Sequence, residues 1–335
     1  MTSDLKMMQV ALNSSDLPGS LRLFSDVFGF ANAGAQAGWG EMMRIQGFDA
    51  SARMLVWWMV GRQQGMQLEI FTHLEPAQRP LPADWTPADH GWVRFGIGVP
   101  DFDRSITALG KLGVTTITAP TGARGCRRVA FRDPYTATLI EIIEENDALS
   151  PGVRHRHFDL DPFIVYATVS VADIAASRDF FGRVVGLPLI DNHLHCAEDE
   201  ALWGLAGATG ESFLADTGDM LIEVVEYRSP RGRPRPADHR LSDQGIMNIA
   251  LRATAKPRIQ GIIDRSLADD PASITAIVDG EAALGTYIEA PDRQLELVAA
   301  SRDADPWMGL VPATPLFAVT IDPSTISVPS PKDKP

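Results

Sequence analysis

The order of hydrophobic and polar positions along the chain predicts the same folding element more than once. From Val10 to Phe30, VALNSSDLPGSLRLFSDVFGF reads as a strand, an Asp, an amphipathic helix and a Gly stop. From Ala167 to Leu187, ATVSVADIAASRDFFGRVVGL reads the same way. The interval from Asp16 to Gly29 equals that from Asp173 to Gly186, and Phe24 and Phe181 occupy the same place within it. The spacing has a mechanical reason. Asp accepts hydrogen bonds from the free N–H groups that open a helix, and Gly adopts the left-handed conformation that closes one. Farther on, Met66–Pro76 (MQLEIFTHLEP) matches Met220–Pro230 (MLIEVVEYRSP), which aligns Glu69 with Glu223 and His73 with Tyr227.

A second kind of segment also occurs twice. Trp92–Val114 runs strand then helix and is followed by Arg132–Ile143 (RDPYTATLIEII), a turn and a strand. Ile246–Arg265 and then Glu289–Val298 repeat that order. The chain thus divides into four units, 6–76, 89–146, 162–230 and 244–300, each opening strand–helix and closing on a strand that carries a Glu. Asp147–Pro162 is polar, contains Pro and reads as a linker. The expected organisation is an N-terminal domain 1–146 holding units one and two, a linker 147–161, and a C-terminal domain 162–321 holding units three and four. Leu316–Ile321 (LFAVTI) reads as a short strand, and 322–335 as a disordered tail.

Composition changes this picture only by exclusion. No apolar run approaches the roughly 20 residues of a membrane helix. The net charge of -13 disfavours a phosphate backbone or an anionic membrane surface, so neither nucleic acid nor membrane is an expected partner. Met1–Met8 lacks the apolar core of a secretory signal, which gives a cytoplasmic expectation. The two cysteines, Cys126 and Cys196, are too few and too far apart for a disulfide framework or a zinc cluster.

A β-α-β-β-β unit that opens with x-x-x-L-x-V-x-D and closes with D-P-x-G-x-x-x-E resembles the vicinal oxygen chelate superfamily. That superfamily includes glyoxalase I, the extradiol dioxygenases, methylmalonyl-CoA epimerase and antibiotic-resistance proteins. The resemblance covers residues 1–300, is closest to the four-unit, two-domain type, and implies an α+β fold in which paired units curl into cupped sheets. It also implies a metal inside each cup, held by the first and last strand of each unit. The first-strand positions fall on Gln9, Arg94, Tyr166 and Asn248, and the last-strand positions on Glu69, Glu141, Glu223 and Glu296. All four glutamates are present, and every first-strand histidine is missing. Because side chains alternate along a strand, Phe71, His73 and Gly96 should line the first cup, and Thr168, Tyr227, Ala250, Arg252 and Val298 the second.

These departures set the expected chemistry. Iron in this family needs imidazoles, so dioxygenase activity is disfavoured where Tyr166, Asn248 and Glu296 stand in their place. In the first domain Gln9 and Glu69 are acceptable metal ligands, but Arg94 would pair with Glu69 and Glu141 and expel a dication; alternatively it would anchor a substrate carboxylate. In the second domain, crowding raises the proton affinity of Glu223 and Glu296. Either would be the base, with Tyr166 and Asn248 holding an oxyanion and Tyr227 and Arg252 facing the same way. That set suits isomerase or lyase chemistry on a hydrophobic carbonyl or phenolic molecule, with no cofactor required. The alternatives are an oxygen-rich site for Mg, Mn or Zn, built from Gln9, Glu69 and Glu141 or from Glu223 and Glu296, and a non-catalytic binding protein. His193 and His195, two apart, would face one side of a strand as ligands or acid–base groups. His73 lies at the cup's mouth, Trp57 and Phe71 offer an apolar wall for a ligand, and His90 and His239 cap loops before units two and four. The expected partner is a small-molecule substrate, with a homodimer left open.

Overall fold

The computed structural model describes residues 4–281, 283–290 and 292–313; the strand expected at Leu316–Ile321 and the tail 322–335 lie outside the described residues. Unit one holds β1 (Lys6–Asn13), α1 (Leu17–Arg22, continued as a wider turn through Phe28), β2 (Ala31–Trp39), β3 (Arg53–Val60) and β4 (Gln67–Glu75). Unit two holds β5 (Gly91–Val99), α2 (Phe102–Lys111), β6 (Arg128–Arg132) and β7 (Leu139–Glu144). A short α3 (Pro151–Arg154) precedes unit three, which has β8 (Phe163–Ser170), α4 (Ile174–Asp179, continued through Val185), β9 (Leu189–Ile190), β10 (Thr209–Asp216) and β11 (Leu221–Ser229). Unit four has β12 (Gly245–Ala253), α5 (Lys256–Asp269), β13 (Val278–Asp279), β14 (Ala283–Ala290) and β15 (Arg293–Ala300).

The helix punctuation works as the spacing predicts. Asp16 accepts from the Gly19 N–H at 3.0 Å and Asp173 from the Ala176 N–H at 2.9 Å. At the far ends Gly29 (φ 88°) and Gly186 (φ 78°) take the left-handed conformation, where a side chain would be strained. No helix among the described residues is long and apolar enough to cross a membrane.

The strands form two sheets, ordered β13-β14-β15-β12-β1-β4-β3-β2 and β6-β7-β5-β8-β11-β10-β9. Units one and four therefore share a sheet, and so do units two and three. This corrects the expected pairing of one with two and three with four. In each sheet the first strands of two units meet antiparallel, β1 with β12 (Ala11 opposite Asn248) and β5 with β8 (Gly96 opposite Tyr166). Alternation in a first strand says which face is buried, but all four first strands carry the same signal, so it does not choose a partner. Consecutive units still touch through their helices, α2 against the extension of α1 and α5 against that of α4.

Segment 147–161 is accordingly not an inter-domain linker. It carries the chain from β7 to β8 within one sheet and is tied to unit one: the Arg62 carbonyl accepts from the His157 and Phe158 N–H groups at 2.8 and 3.0 Å. The backs of both sheets contribute to one continuous apolar core that includes Val10, Leu12, Phe95, Ile97, Val169, Ile249 and Leu251. That shared core leaves the opposite, concave faces for polar residues.

Candidate active site

The sheet of units one and four brings Gln9, Glu69, Asn248 and Glu296 together, one from each of β1, β4, β12 and β15. Gln9 Nε2 donates to Glu69 Oε2 at 2.7 Å and to Glu296 Oε2 at 2.5 Å, so one amide bridges the two carboxyls. Trp58 Nε1 donates to Glu69 Oε1 (2.8 Å), while Asn248 Nδ2 (3.3 Å) and the Tyr287 hydroxyl (3.2 Å) reach Glu296 Oε2. No Lys, Arg or His is hydrogen bonded or ion-paired to either carboxyl among the described residues. Burial pushes Glu69 up to about 8, with the charge of Glu296 adding to it, and burial pushes Glu296 up to about 7.

The ends of this cup are apolar. On one side Phe71, Met43, Met54, Val56, Met247 and Tyr287 pack together. On the other, the segment after β15 folds across, with Ala304 and Leu310 against Met8, Ala250 and Val298. Gly309 lies on the Trp58 indole so closely that a Cβ there would come within 2.4 Å of it. Arg252 anchors this arm by donating to Asp305 (2.6 Å) and to the Ala300 carbonyl (3.1 Å). Its expected catalytic role is therefore replaced by a structural one.

The sheet of units two and three gathers the opposite chemistry. Arg94 Nη2 donates to Glu223 Oε2 (2.9 Å) and Nη1 to the Tyr227 hydroxyl (2.9 Å), which in turn donates to Glu200 (2.8 Å). Arg128 pairs with Glu141, and the Tyr166 hydroxyl donates to the same carboxylate at 2.6 Å. His195 lies between the two glutamates, 2.8 Å from Glu223 and 3.3 Å from Glu141. Burial alone would raise both carboxyls, but His195 and Arg94 hold Glu223 far below the usual range, and Arg128 and His195 hold Glu141 at about 2. Burial lowers His195, but the two carboxylates outweigh it and raise its proton affinity. Two guanidiniums and the His195 ring occupy the carboxylate oxygens that would face a dication, so these residues do not fit a metal.

The expected partners of Arg94 are corrected: it pairs with Glu223, Glu141 belongs to Arg128, and Glu69 lies in the other cup. The expected constellation of Tyr166, Glu223, Asn248 and Glu296 is divided between the cups because the sheets pair one with four and two with three. Trp57 faces the shared core, its Nε1 donating to Asn32 (2.7 Å), and Trp58 is the indole that faces a carboxyl. His193 and His195 lie on a loop, not a strand. His193 is exposed and bonded to Ser212 (2.7 Å), and His195 turns inward. His73 is buried at the apolar end of the first cup, its ring against Phe48 and Phe71. Arg128 and Trp203, which stacks under Arg94, were missed; Arg128 stands two residues from Ala130, opposite Glu141, so alternation along β6 could have found it.

The second cup is tight as well as charged. A Cβ on Gly96 would approach the Tyr166 ring to 2.3 Å, so Gly96→Ala should lower stability by about 1–3 kcal/mol, read by denaturant midpoint. An unchanged midpoint would show that the ring can yield.

Among the described residues no group of three or more His, Cys, Asp or Glu side chains is placed to hold a metal ion. The first cup instead offers two carboxylates and two amides, and Asn248 Oδ1 is buried there with no hydrogen-bond partner. Two uncompensated carboxylates and an orphaned amide oxygen fit a hard divalent cation.

No protein-family model matches the sequence, and no curated protein matches it. Solved structures do. Glyoxalase I from Zea mays superposes with a TM-score of 0.56 at 11% identity, covering 91% of this chain and 94% of that one. A mutant of the same Zea mays enzyme gives 0.58 at 12%, covering 92% and 97%. A candidate dioxygenase from Bacillus subtilis subsp. subtilis str. 168 gives 0.55 at 14%, covering 92% and 91%. The protein therefore has the vicinal oxygen chelate fold. Within it, the chain takes the four-unit form, with two cupped sheets of eight and seven strands.

Proposed function

We propose that this protein is an enzyme whose first cup moves a proton at a carbon next to a carbonyl, as an isomerase or lyase acting on a small, largely apolar molecule. The observation that carries the reading is the pair Glu69 and Glu296, buried, bridged by Gln9 and without a cationic partner. A carboxyl raised toward neutrality is both partly ionised and a good proton acceptor at physiological pH. Ionised Glu296 would take the proton from carbon, and protonated Glu69, the carboxyl with the higher proton affinity, would return one to the neighbouring atom in an isomerisation or to the leaving group in an elimination. The second amide N–H of Asn248 would donate to the oxyanion formed in between, while Gln9 holds the two carboxyls in place. Glu296 thus keeps its expected role, while Glu69 takes the place of Glu223, which is held as a weak base by Arg94 and His195.

Gln9, Glu69, Asn248 and Glu296 would be the residues holding a divalent cation such as Mg or Mn. A bound cation would polarise the carbonyl and stabilise the negative charge that develops on it. The apolar wall of Phe71, Met54 and Met247 favours a hydrophobic substrate.

The test is proton exchange. The full chain is incubated in D2O with a panel of aromatic and aliphatic α-hydroxy ketones, and loss of the C–H signal is followed by NMR. Exchange should fall by about 10²–10⁴-fold in Glu69→Gln and in Glu296→Gln. Tyr227→Phe, in the second cup, should leave it unchanged. Exchange equal in wild type and both glutamine variants would remove the assignment, and a ligand bound tightly yet returned unexchanged would favour a sequestering protein.

A further inference from the structure

The connections between units one and two and between units three and four are themselves a repeat. Arg79-Pro-Leu-Pro-Ala-Asp-Trp85 aligns with Arg233-Pro-Arg-Pro-Ala-Asp-His239, and Asp89 and Gly91 align with Asp243 and Gly245. The two copies clasp each other reciprocally. Arg79 pairs with Asp238 (2.6 Å) and Asp243 (2.7 Å), while Arg233 pairs with Asp84 and with Asp89 (2.7 Å). The backbone follows the same exchange, the Gln244 N–H donating to the Arg79 carbonyl and the His90 N–H to the Arg233 carbonyl, both at 2.9 Å.

Between the copies lies a cavity of about 180 Å³, lined by Leu81, Trp85, Trp92, Met247, Arg235 and His239 among others, and by none of the four cup glutamates. The repeat breaks its symmetry at this cavity: Arg235 stands where the other copy has Leu81, and His239 where it has Trp85. Arg79 and Arg233 are both paired with aspartates, whereas among the described residues no carboxylate lies within ion-pair distance of Arg235. Its Nη1 donates to His239 Nε2 (2.9 Å) and Gln294 Oε1 (3.0 Å), and Nε to the His90 carbonyl (3.4 Å). Nη2 has no hydrogen bond among the described residues. It rests against Gly91 (φ 125°), where a Cβ would come within 2.4 Å.

Of the carboxylates that face Arg235, Asp292 and Asp243 favour its charge, but among the described residues neither makes an ion pair with it. Asp243 is engaged by Arg79 and Asp89 by Arg233. Burial lowers Arg235 to about 10 in spite of Asp292 and Asp243 nearby. Burial and then Arg235 itself lower His239 to about 4, so its ring is neutral at physiological pH. The cavity wall therefore presents one guanidinium that, among the described residues, makes no ion pair and has an Nη2 without a hydrogen bond, flanked by two indoles. An incompletely neutralised guanidinium is costly in a partly desolvated wall unless an anion completes it.

We propose that this cavity is a ligand site separate from both cups, and that it takes a small aromatic monocarboxylate. The carboxylate accepts from Arg235 Nη2, and the ring packs beside Trp85 and Trp92. A space of this size suits a single six-membered ring.

The test uses the full chain and calorimetric titration with benzoate, with benzamide as the neutral probe of the same shape. Benzoate should bind saturably at one site, and Arg235→Leu, which restores the residue of the other copy, should weaken it by about tenfold or more, as losing a charge-assisted bond does. Unliganded Arg235→Leu should melt at the same temperature as wild type or higher, whereas a cation that serves the fold would leave it less stable. Arg235→Gln gives a second variant should the leucine fail to fold. Absence of saturable benzoate binding, equal binding of benzamide, or unchanged affinity in both variants overturns the proposal. Glu69→Gln should leave benzoate affinity unchanged; a loss there would place the ligand in the first cup and overturn the separate site, whatever the outcome for proton exchange.

Discussion

Arg94→Ala is expected to lower the unfolding free energy by about 3–5 kcal/mol, because it strands a buried carboxylate instead of removing a pair. Arg94 is 1% exposed and its partner Glu223 is 2% exposed, so water cannot replace the lost bonds. The effect should spread through the network, since Glu223 also holds His195, and His195 reaches Glu141. Denaturant unfolding at neutral pH measures it. The double variant Arg94→Met/Glu223→Gln removes both charges and keeps the volume, and should recover much of the loss. Equal stability of the alanine single variant and wild type would show that the network contributes nothing.

The second large effect concerns pH, and the two cups act in opposite directions. Glu69 and Glu296 have proton affinities raised above the unfolded value of 4.5. The native state therefore holds more protons than the unfolded one between pH 4.5 and about 8, and stability falls as pH rises through that window. Glu141 and Glu223 are depressed, so their contribution is present above pH 4.5 and is lost as pH falls toward about 2. For metal-stripped protein the alkaline loss should be on the order of 4 kcal/mol between pH 5 and pH 9, the two carboxyls titrating as one coupled pair. In Glu69→Gln/Glu296→Gln that alkaline slope should largely vanish while the acid slope stays. His195, raised as well, adds a smaller alkaline term that the double variant retains. Adding Mg or Mn at pH 8 should raise the melting temperature of wild type, by about 2.7 kcal/mol of stability at a hundredfold excess over Kd, and not that of the double variant. An alkaline slope unchanged in the double variant would mean that the pair is not buried as charged groups.

Several features were legible before any coordinates. The Asp and Gly that bracket the first helices, the closing-strand glutamates and the absence of first-strand histidines are local signals, because capping and strand alternation depend on near neighbours. Helix α1 and helix α4 open and close where Asp16, Gly29, Asp173 and Gly186 require. The arginine at the first-strand position of unit two was likewise legible, and it pairs with a closing-strand glutamate, although with Glu223 and not the expected Glu69 and Glu141.

What failed was every statement that needed a partner. Glu223 and Glu296 are equivalent by position in their units, yet Glu223 lies beside a guanidinium and an imidazole and Glu296 beside two amides, a phenol and another carboxyl. Their proton affinities move apart for that reason alone. His195 could not be placed because its loop has no period, and Arg252 could not be recognised as an anchor because Asp305 lies on an arm outside the repeat.

The sequence by itself determined the unit, its caps and the residue types offered to each cup, since these follow from spacing within one stretch of chain. The tertiary structure decided which units share a sheet. Four first strands with the same apolar alternation can each pair with any other, and only the packing of the whole chain selects β1 with β12 and β5 with β8. That selection joins Gln9 and Glu69 to Asn248 and Glu296 and leaves them without a cation. It places Arg94, Arg128 and His195 around Glu141 and Glu223, and so separates a cup whose carboxyls lack a cationic partner from one held by ion pairs.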